Sequence, residues 1–365
     1  LIALIQPINN THSTNLKYNL NKDLVTQNPG VYFFKNKFDK IIYVGKAKSL
    51  KNRIDNHLQE SAPKHSQKII KKAYSLEIEE KNSELTALIA EAEYIKKFRP
   101  ELNHLLKKYP QSFFLKFDYT HPFPIPIKTN TFSFDESDYF GPFSRRDDVE
   151  ILIDTINKSF ELRECKENIF NKKTACYLKD IERCTAPCEN FNKITYQSEL
   201  EKVYDFLAGN NSFITKRLIN KMKYFAEEKK YENAAEVRDT INIILKNINR
   251  LALIREPINK TNALIIINSS LKCDKILIKE GKVFIPGFDE LSEKDFYKIA
   301  EEYYNRTIFN EKKIDEKDLE RMRIILSWLI RNKTKSRIYY LKDYDDYQKF
   351  INSVSTQNKI NNYTQ

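Results

Sequence analysis

Two short stretches rich in β-branched and aromatic residues stand out near the start of the chain. They span residues 31–34 and 41–44, and the polar stretch 35–40 separates them. Such a pair predicts an antiparallel β-hairpin with a polar loop. A basic helical pattern over 49–58 and a third strand over 74–78 are predicted to follow it.

The clearest helical pattern of this part lies in residues 82–98. Apolar residues recur there at steps of three and four positions, which is typical of one buried helix face. Asn82 or Ser83 provides an N-cap, and Pro100 lies just beyond the predicted end. The hairpin, the third strand and the helices together predict a small α/β unit.

The pattern changes again beyond residue 110. Prolines and aromatic residues in 111–145 predict a short strand and then an ordered linker, whereas 146–162 and 196–250 have helical patterns. Further on, alternating strands and amphipathic helices predict a small α/β module. Its elements are expected at 263–267, 275–278, 282–285, 293–304 and 317–331.

These patterns predict an α+β protein of two or three domains, and 41% hydrophobic residues in 365 suffice to bury their cores. The predicted segments are a connector at 1–25, an α/β domain at 26–110, a linker at 111–145, a cysteine-rich region at 146–195, a helical hairpin at 196–255, a small α/β module at 256–352 and a frayed tail at 353–365.

No stretch of the sequence approaches the roughly 20 apolar residues of a membrane span. The apolar residues 1–5 are too few and lack the basic flank of a signal peptide, so we expect a cytoplasmic location and no membrane partner. The chain begins at Leu1 without an initiator methionine. We therefore expect a piece of something longer, and an upstream domain is left open.

The positive charge is concentrated near the N-terminus. The chain has 62 Lys and Arg against 50 Asp and Glu, a net charge of +12. Residues 1–110 hold nineteen basic and eleven acidic residues, so 19 − 11 = +8 of that excess lies there. A polyanion is the natural partner of such a segment. Biased amino-acid usage is the alternative explanation.

Two of the six glycines fall in the predicted hairpin. Gly30 opens the first strand and Gly45 closes the second, which puts Tyr32 and Tyr43 on neighbouring strands with Lys46 directly after. Glycine at such positions permits a sharp turn or the close approach of a phosphate. An ordinary hairpin with a glycine at each end is the alternative.

Basic residues and one carboxylate are predicted to lie near these tyrosines. Arg53 and His57 are four residues apart and share one helix face. Glu91 lies in the helix over 82–98, and Asn103 follows that helix. A solvated Glu91 at the helix edge is the plain interpretation, but carboxylate oxygen also suits Mg²⁺ or Mn²⁺.

Four of the five cysteines are clustered with the spacing C-x10-C-x7-C-x3-C. In a cytoplasmic chain such a cluster indicates a metal centre rather than disulfides. The spacing differs from the paired CxxC of a zinc ribbon and favours neither zinc nor iron outright. Reduced cysteines packed in a core are the alternative. The clustered residues are Cys165, Cys176, Cys184 and Cys188.

Four segments resemble, in order and spacing, the GIY-YIG nuclease domain of the UvrC family, the incision subunit of bacterial nucleotide excision repair. The segments are GVY, YVGKAKSLKNRI, LIAEAEYIKKFRPELN and YFGPF. At His57 the chain departs from the tyrosine that is common in the family. The family pattern carries over to the tyrosines Tyr32 and Tyr43, the cations Lys46 and Arg53, the metal-binding Glu91 and the helix-end Asn103.

The resemblance implies metal-dependent hydrolysis of a phosphodiester. Glu91 would hold Mg²⁺ or Mn²⁺ against the phosphate, which stabilises the developing charge. Tyr43, acidified by nearby cations, would act as general base. Arg53 and Lys46 would neutralise the phosphate, and Tyr32 and His57 would orient water or phosphate.

Two further segments resemble UvrC outside the nuclease domain. The cysteine cluster is similar to the region for which the family implies a [4Fe-4S] cluster, with Zn²⁺ as the weaker choice. Residues 222–241 form a plain amphipathic pattern that resembles the UVR motif, which implies UvrB and damaged double-stranded DNA as partners. The matching positions of this motif are Glu232, Ala235, Arg238 and Asp239.

The resemblance fades after about residue 255. Residues 260–365 contain no histidine and only two glycines, so we expect neither the RNase H-like nuclease nor the helix-hairpin-helix modules of full-length UvrC. One nuclease centre remains, with a cut on the 3′ side of a lesion, as in the shorter Cho homologue or the Cho-like half of an exonuclease fusion. A non-catalytic module that tethers DNA and UvrB is the alternative. The cysteine cluster disfavours a homing or restriction nuclease.

Overall fold

The computed structural model describes residues 6–7, 18–19, 25–251, 256–268, 273–292, 294–296, 298–299 and 314–341. Near the N-terminus, the two-residue strands β1 (Gln6–Pro7) and β2 (Tyr18–Asn19) pair antiparallel. The rest of the predicted connector 1–25, apart from Val25, and the whole predicted tail 353–365 lie outside the described residues.

The predicted hairpin and third strand form one antiparallel sheet in the order β4–β3–β5. Three helices accompany this sheet, and the side chains of Ser49 and Ser83 cap the first and third of them. The middle helix was not predicted, because the segment KHSQKIIKK has only two apolar residues. The elements are β3 (Gly30–Lys35), β4 (Ile41–Ala47), α1 (Leu50–Leu58), α2 (Lys64–Lys72), β5 (Ser75–Glu80) and α3 (Glu84–Phe98).

Residues 111–145, interpreted above as a linker, contain a second antiparallel sheet in the order β7–β6–β8. Its aromatic side chains are core residues, since Phe114, Phe117 and Tyr139 are buried. Prolines obscured the pattern, because Pro126 begins an edge strand where a missing N–H costs little. The strands are β6 (Phe113–Asp118), β7 (Pro126–Thr129) and β8 (Ser137–Phe143).

A helical region follows the second sheet. Where one or two helices were predicted over 196–250, three are present, with breaks at 208–211 and 228–230. Their apolar faces pack with the second sheet in one buried cluster that includes Phe117, Leu200 and Ile244. The helices are α4 (Arg146–Ser159), α5 (Glu167–Phe170), α6 (Tyr177–Asp180), α7 (Pro187–Asn190), α8 (Lys193–Leu207), α9 (Ser212–Glu227) and α10 (Tyr231–Leu251).

The C-terminal module contains a four-stranded antiparallel sheet in the order β11–β10–β9–β12 and one long helix. Strand β12 was not predicted, and most of the helix predicted over 293–304 lies outside the described residues. The elements are β9 (Asn262–Ile267), β10 (Asp274–Lys279), β11 (Lys282–Phe284), α11 (Glu316–Arg331) and β12 (Ser336–Tyr340).

This module shares its core with the first sheet. Trp328 and Ile325 of α11 belong to the same buried cluster as Val31, Leu85 and Ile89. Burying this apolar surface removes it from water and holds the two units together. Helix α3 is therefore packed between the N-terminal sheet and the module.

Buried polar contacts also tie helix α3 to the module. Thr86 Oγ1 donates to Asp274 Oδ2 at 2.8 Å, at the capping turn of α3. Arg321 is buried and its Nε donates to Glu93 Oε1 at 2.7 Å. Lys96 Nζ donates to Glu320 Oε1 at 2.8 Å. Because buried charges are costly unless paired, these contacts favour one placement of α3.

Candidate active site

The hairpin places the two signature tyrosines side by side. Tyr32 on β3 and Tyr43 on β4 have ring centroids 6.1 Å apart, and Tyr32 is fully buried. Gly45 lies opposite Tyr32 in the strand register. A Cβ atom at Gly45 would lie 2.3 Å from Tyr32 Oη, so this glycine makes room for the Tyr32 ring.

Helix α1 brings Arg53 and His57 to the hydroxyl of Tyr32. Arg53 Nε donates to Tyr32 Oη at 3.2 Å, and Tyr32 Oη lies 2.8 Å from His57 Nε2. Because arginine is only a donor, the Tyr32 hydroxyl accepts from Arg53, and the tautomer of His57 decides whether its Nε2 donates to Tyr32 or accepts from it. Nδ1 of His57 is buried without a partner among the described residues.

The pKa values of this group follow its burial. Burial, helped by the nearby charges of Arg53 and His65, lowers the pKa of His57 to about 4, so the imidazole is neutral at pH 7. Burial raises the pKa of Tyr32, and the neighbouring Tyr43 raises it further. Tyr32 is therefore protonated in the neutral range.

The sequence-based expectation that cations acidify Tyr43 is wrong for this site without a metal. Burial raises the pKa of Tyr43 and the carboxylate of Glu91 adds to the rise, while the charge of Arg53 opposes it. The loss of solvation outweighs the single cation.

Helix α3 presents Glu91 at the end of β4. Glu91 Oε1 accepts the backbone N–H of Lys46 at 3.0 Å, and Oε2 accepts no hydrogen bond from any residue that the structure describes. Burial raises the pKa of Glu91, although the Lys46 N–H and the nearby cations oppose this. One oxygen is thus fixed by the backbone while the other is available as a ligand for a hard cation such as Mg²⁺.

The side chain of Lys46 contacts a second carboxylate on α3. Lys46 Nζ donates to Glu84 Oε1 at 2.9 Å, and both side chains are partly exposed. Burial raises the pKa of Glu84, but the hydrogen bond and charge of Lys46 outweigh it and the net shift is downward. Lys46 therefore reaches a phosphate only if it leaves Glu84.

The amide of Asn103 bonds to the backbone of β4. Its Nδ2 donates to Val44 O at 2.8 Å, and its Oδ1 accepts from Val44 N at 2.9 Å. β4 is an edge strand of its sheet, so Asn103 supplies the bonds that a neighbouring strand would make. Asn103 is buried, and this geometry suits a residue that positions β4 and Tyr43 rather than one that contacts substrate.

The structure adds two histidines that the sequence did not single out. The ring of His65 on α2 lies 5.8 Å from that of Tyr43, and the ring of His104 lies 5.8 Å from that of His65. His57 and His65 therefore both contact the Tyr43 ring, and His104 lies beyond His65. Nothing in their spacing indicates this, because α2 and the loop after α3 meet only in the fold.

The four clustered cysteines line one small cavity together with residues of α6 and α7, and none is in a disulfide. Burial raises the pKa of Cys184 to about 11, and the charges of the other three cysteines add to the rise. Among the described residues, no three cysteine, histidine or acidic side chains converge as ligands of one metal ion. The thiols therefore surround a shared space without forming a single-ion site.

Three family models match the chain in order. They are the UvrC-like GIY-YIG domain over 28–104, the UvrC/Cho excinuclease middle domain over 113–206 and the UvrB/uvrC motif over 214–244. The candidate active site lies within the first of them. These matches define a protein with a GIY-YIG endonuclease domain followed by an excinuclease middle domain and a UVR motif.

Curated relatives extend the similarity beyond these segments. The UvrABC system protein C of Clostridium botulinum strain Hall is 34% identical over 329 residues, which cover 85% of this chain and 53% of the relative. That of Rickettsia bellii strain RML369-C is 36% identical over 222 residues, covering 60% and 35%. The chain belongs to the UvrC family, and it spans about half the length of the Clostridium relatives it matches.

A solved structure is also similar to the nuclease part. The N-terminal GIY-YIG endonuclease domain of UvrC from Thermotoga maritima, bound to magnesium as its catalytic divalent cation, is 42% identical. It covers 22% of this chain and 88% of its own, with a TM-score of 0.21. In the part of this chain that the structure describes, no helix is both long enough and apolar enough to cross a membrane.

Proposed function

We propose that this chain is a metal-dependent DNA endonuclease of nucleotide excision repair, which cuts one phosphodiester on the 3′ side of a lesion when UvrB recruits it. The observation that carries the proposal is the convergence of Tyr43, Arg53 and Glu91 at one end of the hairpin. Membership of the UvrC family supports it.

The residues present fit a divalent cation. Glu91, with Oε1 held by the Lys46 N–H, would bind Mg²⁺ or Mn²⁺, which supplies charge stabilisation at the scissile phosphate. Arg53 would neutralise the phosphate with the guanidinium edge that Tyr32 does not use. Tyr43 would accept the proton of the attacking water, directly or through a relay, in its phenolate form, which the charge of the bound cation would favour against the burial that raises the pKa of Tyr43. Tyr32 and neutral His57 would keep Arg53 in place.

Cleavage of an end-labelled duplex with one bulky lesion tests this proposal. The assay compares wild type with Glu91→Gln, in Mg²⁺ or Mn²⁺, with and without UvrB. Glu101→Gln is the matched control, because Glu101 is half-exposed in the same unit and its one ion pair among the described residues is with Lys72. We expect a single UvrB-dependent cut on the 3′ side of the lesion, weaker Mn²⁺ binding and loss of the cut in Glu91→Gln, and neither change in the control.

Cleavage by Glu91→Gln at the wild-type rate would remove Glu91 from the mechanism. If wild type binds DNA and UvrB but makes no cut, the non-catalytic tethering module takes the place of the nuclease. The Cho-like nuclease half of an exonuclease fusion would give the same single 3′ cut, so loss of the cut would refute this alternative as well. The cytoplasmic location and the domain division given above remain predictions.

The hairpin of α9 and α10 would bind UvrB. Its end is exposed and apolar in part, with Tyr224 55% and Tyr231 67% exposed, and aromatic residues of this kind are enriched in interfaces. We expect Ala235→Glu to weaken UvrB binding at least tenfold in a pull-down titration, because it puts a charge on the partly buried face. Glu232→Gln, at an exposed neighbouring position, serves as the milder control.

The cysteine cavity would hold a [4Fe-4S] cluster rather than Zn²⁺. Four thiolates on one Zn²⁺ at about 2.3 Å must crowd together, whereas a cluster takes one cysteine on each iron and keeps them farther apart. The four cysteines that line one cavity support a metal centre at this place. Iron, sulfide and zinc analysis of anaerobically purified protein tests this, with Cys184→Ser expected to lose iron and Cys273→Ser to retain it. Zinc without iron would refute the cluster.

A further inference from the structure

A wide cleft lies between helix α3 and the C-terminal module, on the side of α3 away from Glu91. It encloses about 1000 Å³. Glu93, Lys96 and Lys97 line it and lie about 200°, 140° and 240° around the helix from Glu91 at 100° per residue. The cleft is thus separate from the candidate active site and exists only because the module packs against α3.

The carboxylates at the floor of the cleft are neutralised. Glu93 accepts from Arg321, and Asp289 accepts from Arg321 and Lys317. Outside the cleft, Glu320 similarly accepts from Lys96. The floor therefore presents little net charge to a ligand.

The wall of the cleft that belongs to the nuclease domain, here called the nuclease-side wall, carries cations that do not pair with carboxylates in the described part of the chain. Lys97, Arg99, Lys107 and Lys108 line the cleft and form no ion pair with any carboxylate among the described residues. Arg99 ends α3 in the left-handed conformation, φ +46°, where glycine is usually favoured. The opposite wall has two carboxylates without an ion pair in the described part of the chain, Glu290 and Glu316, so the positive potential belongs to one wall.

Aromatic rings accompany these cations. Tyr109 lines the cleft with 37% of its surface exposed. Tyr94 of α3 also lines it and stacks on Phe98, which is 39% exposed. Lys96 covers one face of Tyr109 at 4.9 Å from the ring centroid. Unpaired cations beside partly exposed rings are the combination with which proteins bind single-stranded nucleic acid, through phosphates and base stacking.

We propose that this cleft binds a single-stranded segment of DNA along the wall of Lys97, Arg99, Lys107 and Lys108, with Tyr109 as a stacking platform. The inference rests on DNA as the substrate in the proposed function. It assigns the C-terminal module a role in holding a strand away from the bond that is cut. Glu290 and Glu316, on the wall opposite these cations, would repel the phosphates and keep the DNA backbone on the nuclease-side wall.

Fluorescence anisotropy with a labelled oligothymidylate, in EDTA and without UvrB, tests the cleft independently of cleavage and metal. The variant changes Lys97, Arg99, Lys107 and Lys108 to Gln. The control changes Lys37, Lys40, Lys172 and Lys173 to Gln, four exposed lysines away from the cleft. Unchanged fluorescence of Trp328, the single tryptophan, verifies that the variant retains the shared core.

The logarithm of the binding constant falls linearly with the logarithm of the salt concentration, with a slope of about 0.7 for each phosphate contact on a single strand. The loss of four contacts would reduce the magnitude of this slope by about 3. At 0.15 M salt this corresponds to roughly a 100-fold loss of affinity. We expect that loss in the cleft variant and less than a threefold loss in the control. Tyr109→Leu should weaken binding several-fold without changing the slope, and an abasic oligonucleotide should remove the difference.

Equal losses in variant and control would refute the cleft as a binding site. A variant that loses duplex binding but keeps oligothymidylate binding would show that the surface holds duplex instead. Displacement of the oligonucleotide by polyglutamate at equal charge concentration would make it a site for acidic protein and overturn the assignment. Because no cut is measured, a failed nuclease assay does not affect these outcomes.

Discussion

Acidification probes the nuclease core directly, because His57 is buried in its neutral form. Its side chain is 3% exposed and its pKa is about 4, whereas an unfolded chain has a histidine pKa near 6.5. Between these values the unfolded state binds a proton that the folded state does not. Stability from this group is therefore fully present above pH 6.5 and is lost as the pH falls toward 4.

The size of the effect follows from the same pKa values. A difference of about 2.5 units corresponds to roughly 3 kcal/mol when the pH has fallen below 4. About 2 kcal/mol of this is lost between pH 7 and pH 5. That is a substantial fraction of the stability of an ordinary domain.

Denaturant unfolding at pH 7 and pH 5 measures this loss, with Trp328 fluorescence as the signal from the shared core. Carboxylates and other histidines also titrate in this range, so the informative quantity is the difference between wild type and His57→Gln. A glutamine side chain can donate to Tyr32 or accept from it, but it does not titrate. We expect wild type to lose about 2 kcal/mol more than His57→Gln, and the exposed control His104→Gln to behave like wild type.

Nuclear magnetic resonance of the histidine ring provides a second measurement. The His57 signal should titrate with a midpoint near 4. A midpoint near 6.5, or the same pH dependence in wild type and His57→Gln, would refute the inference that burial keeps His57 neutral beside Arg53.

Two further predictions concern the elements that hold the site. Asn103→Ala removes both side-chain bonds to Val44, and we expect a loss of about 3 kcal/mol in denaturant unfolding, because two buried backbone groups lose their partners; a loss below 0.5 kcal/mol would contradict this. Arg321→Met leaves Lys317 as the one cation that pairs with Glu93 and Asp289 among the described residues, and it should cost about 2 kcal/mol, less than for a fully buried pair because Asp289 is half-exposed. Arg331→Met is the control, because in the described part of the chain Arg331 bonds to its own helix alone, and equal losses in both variants would refute a special role for Arg321.

Much of the nuclease unit was predictable from local sequence. The hairpin, the strand β5 and the helix α3 follow from short-range patterns and from the capping residue Ser83. The pairing of Tyr32 with Tyr43 follows from one hairpin, and the proximity of Arg53 and His57 follows from one helical turn. These contacts join residues that are close in sequence, so spacing alone predicts them.

Other features depend on contacts between distant residues. Thr86 and Asp274 are 188 positions apart, and Asn103 reaches Val44 across 59. The second sheet was predicted as one strand followed by a linker, because prolines lie at the start of β7 and near the end of β8. The short-range periodicity of the sequence does not predict which distant segments of the chain contact each other.

Local periodicity and motif spacing are thus sufficient to predict the nuclease hairpin, its helix and the candidates Tyr32, Tyr43, Arg53 and Glu91. The folded arrangement was needed to show that Asn103 completes an edge strand, that the C-terminal module shares the core behind α3 and that a basic cleft opens between them. These features could not be read from local patterns, because burial and pairing of side chains across the fold depend on which surfaces pack together.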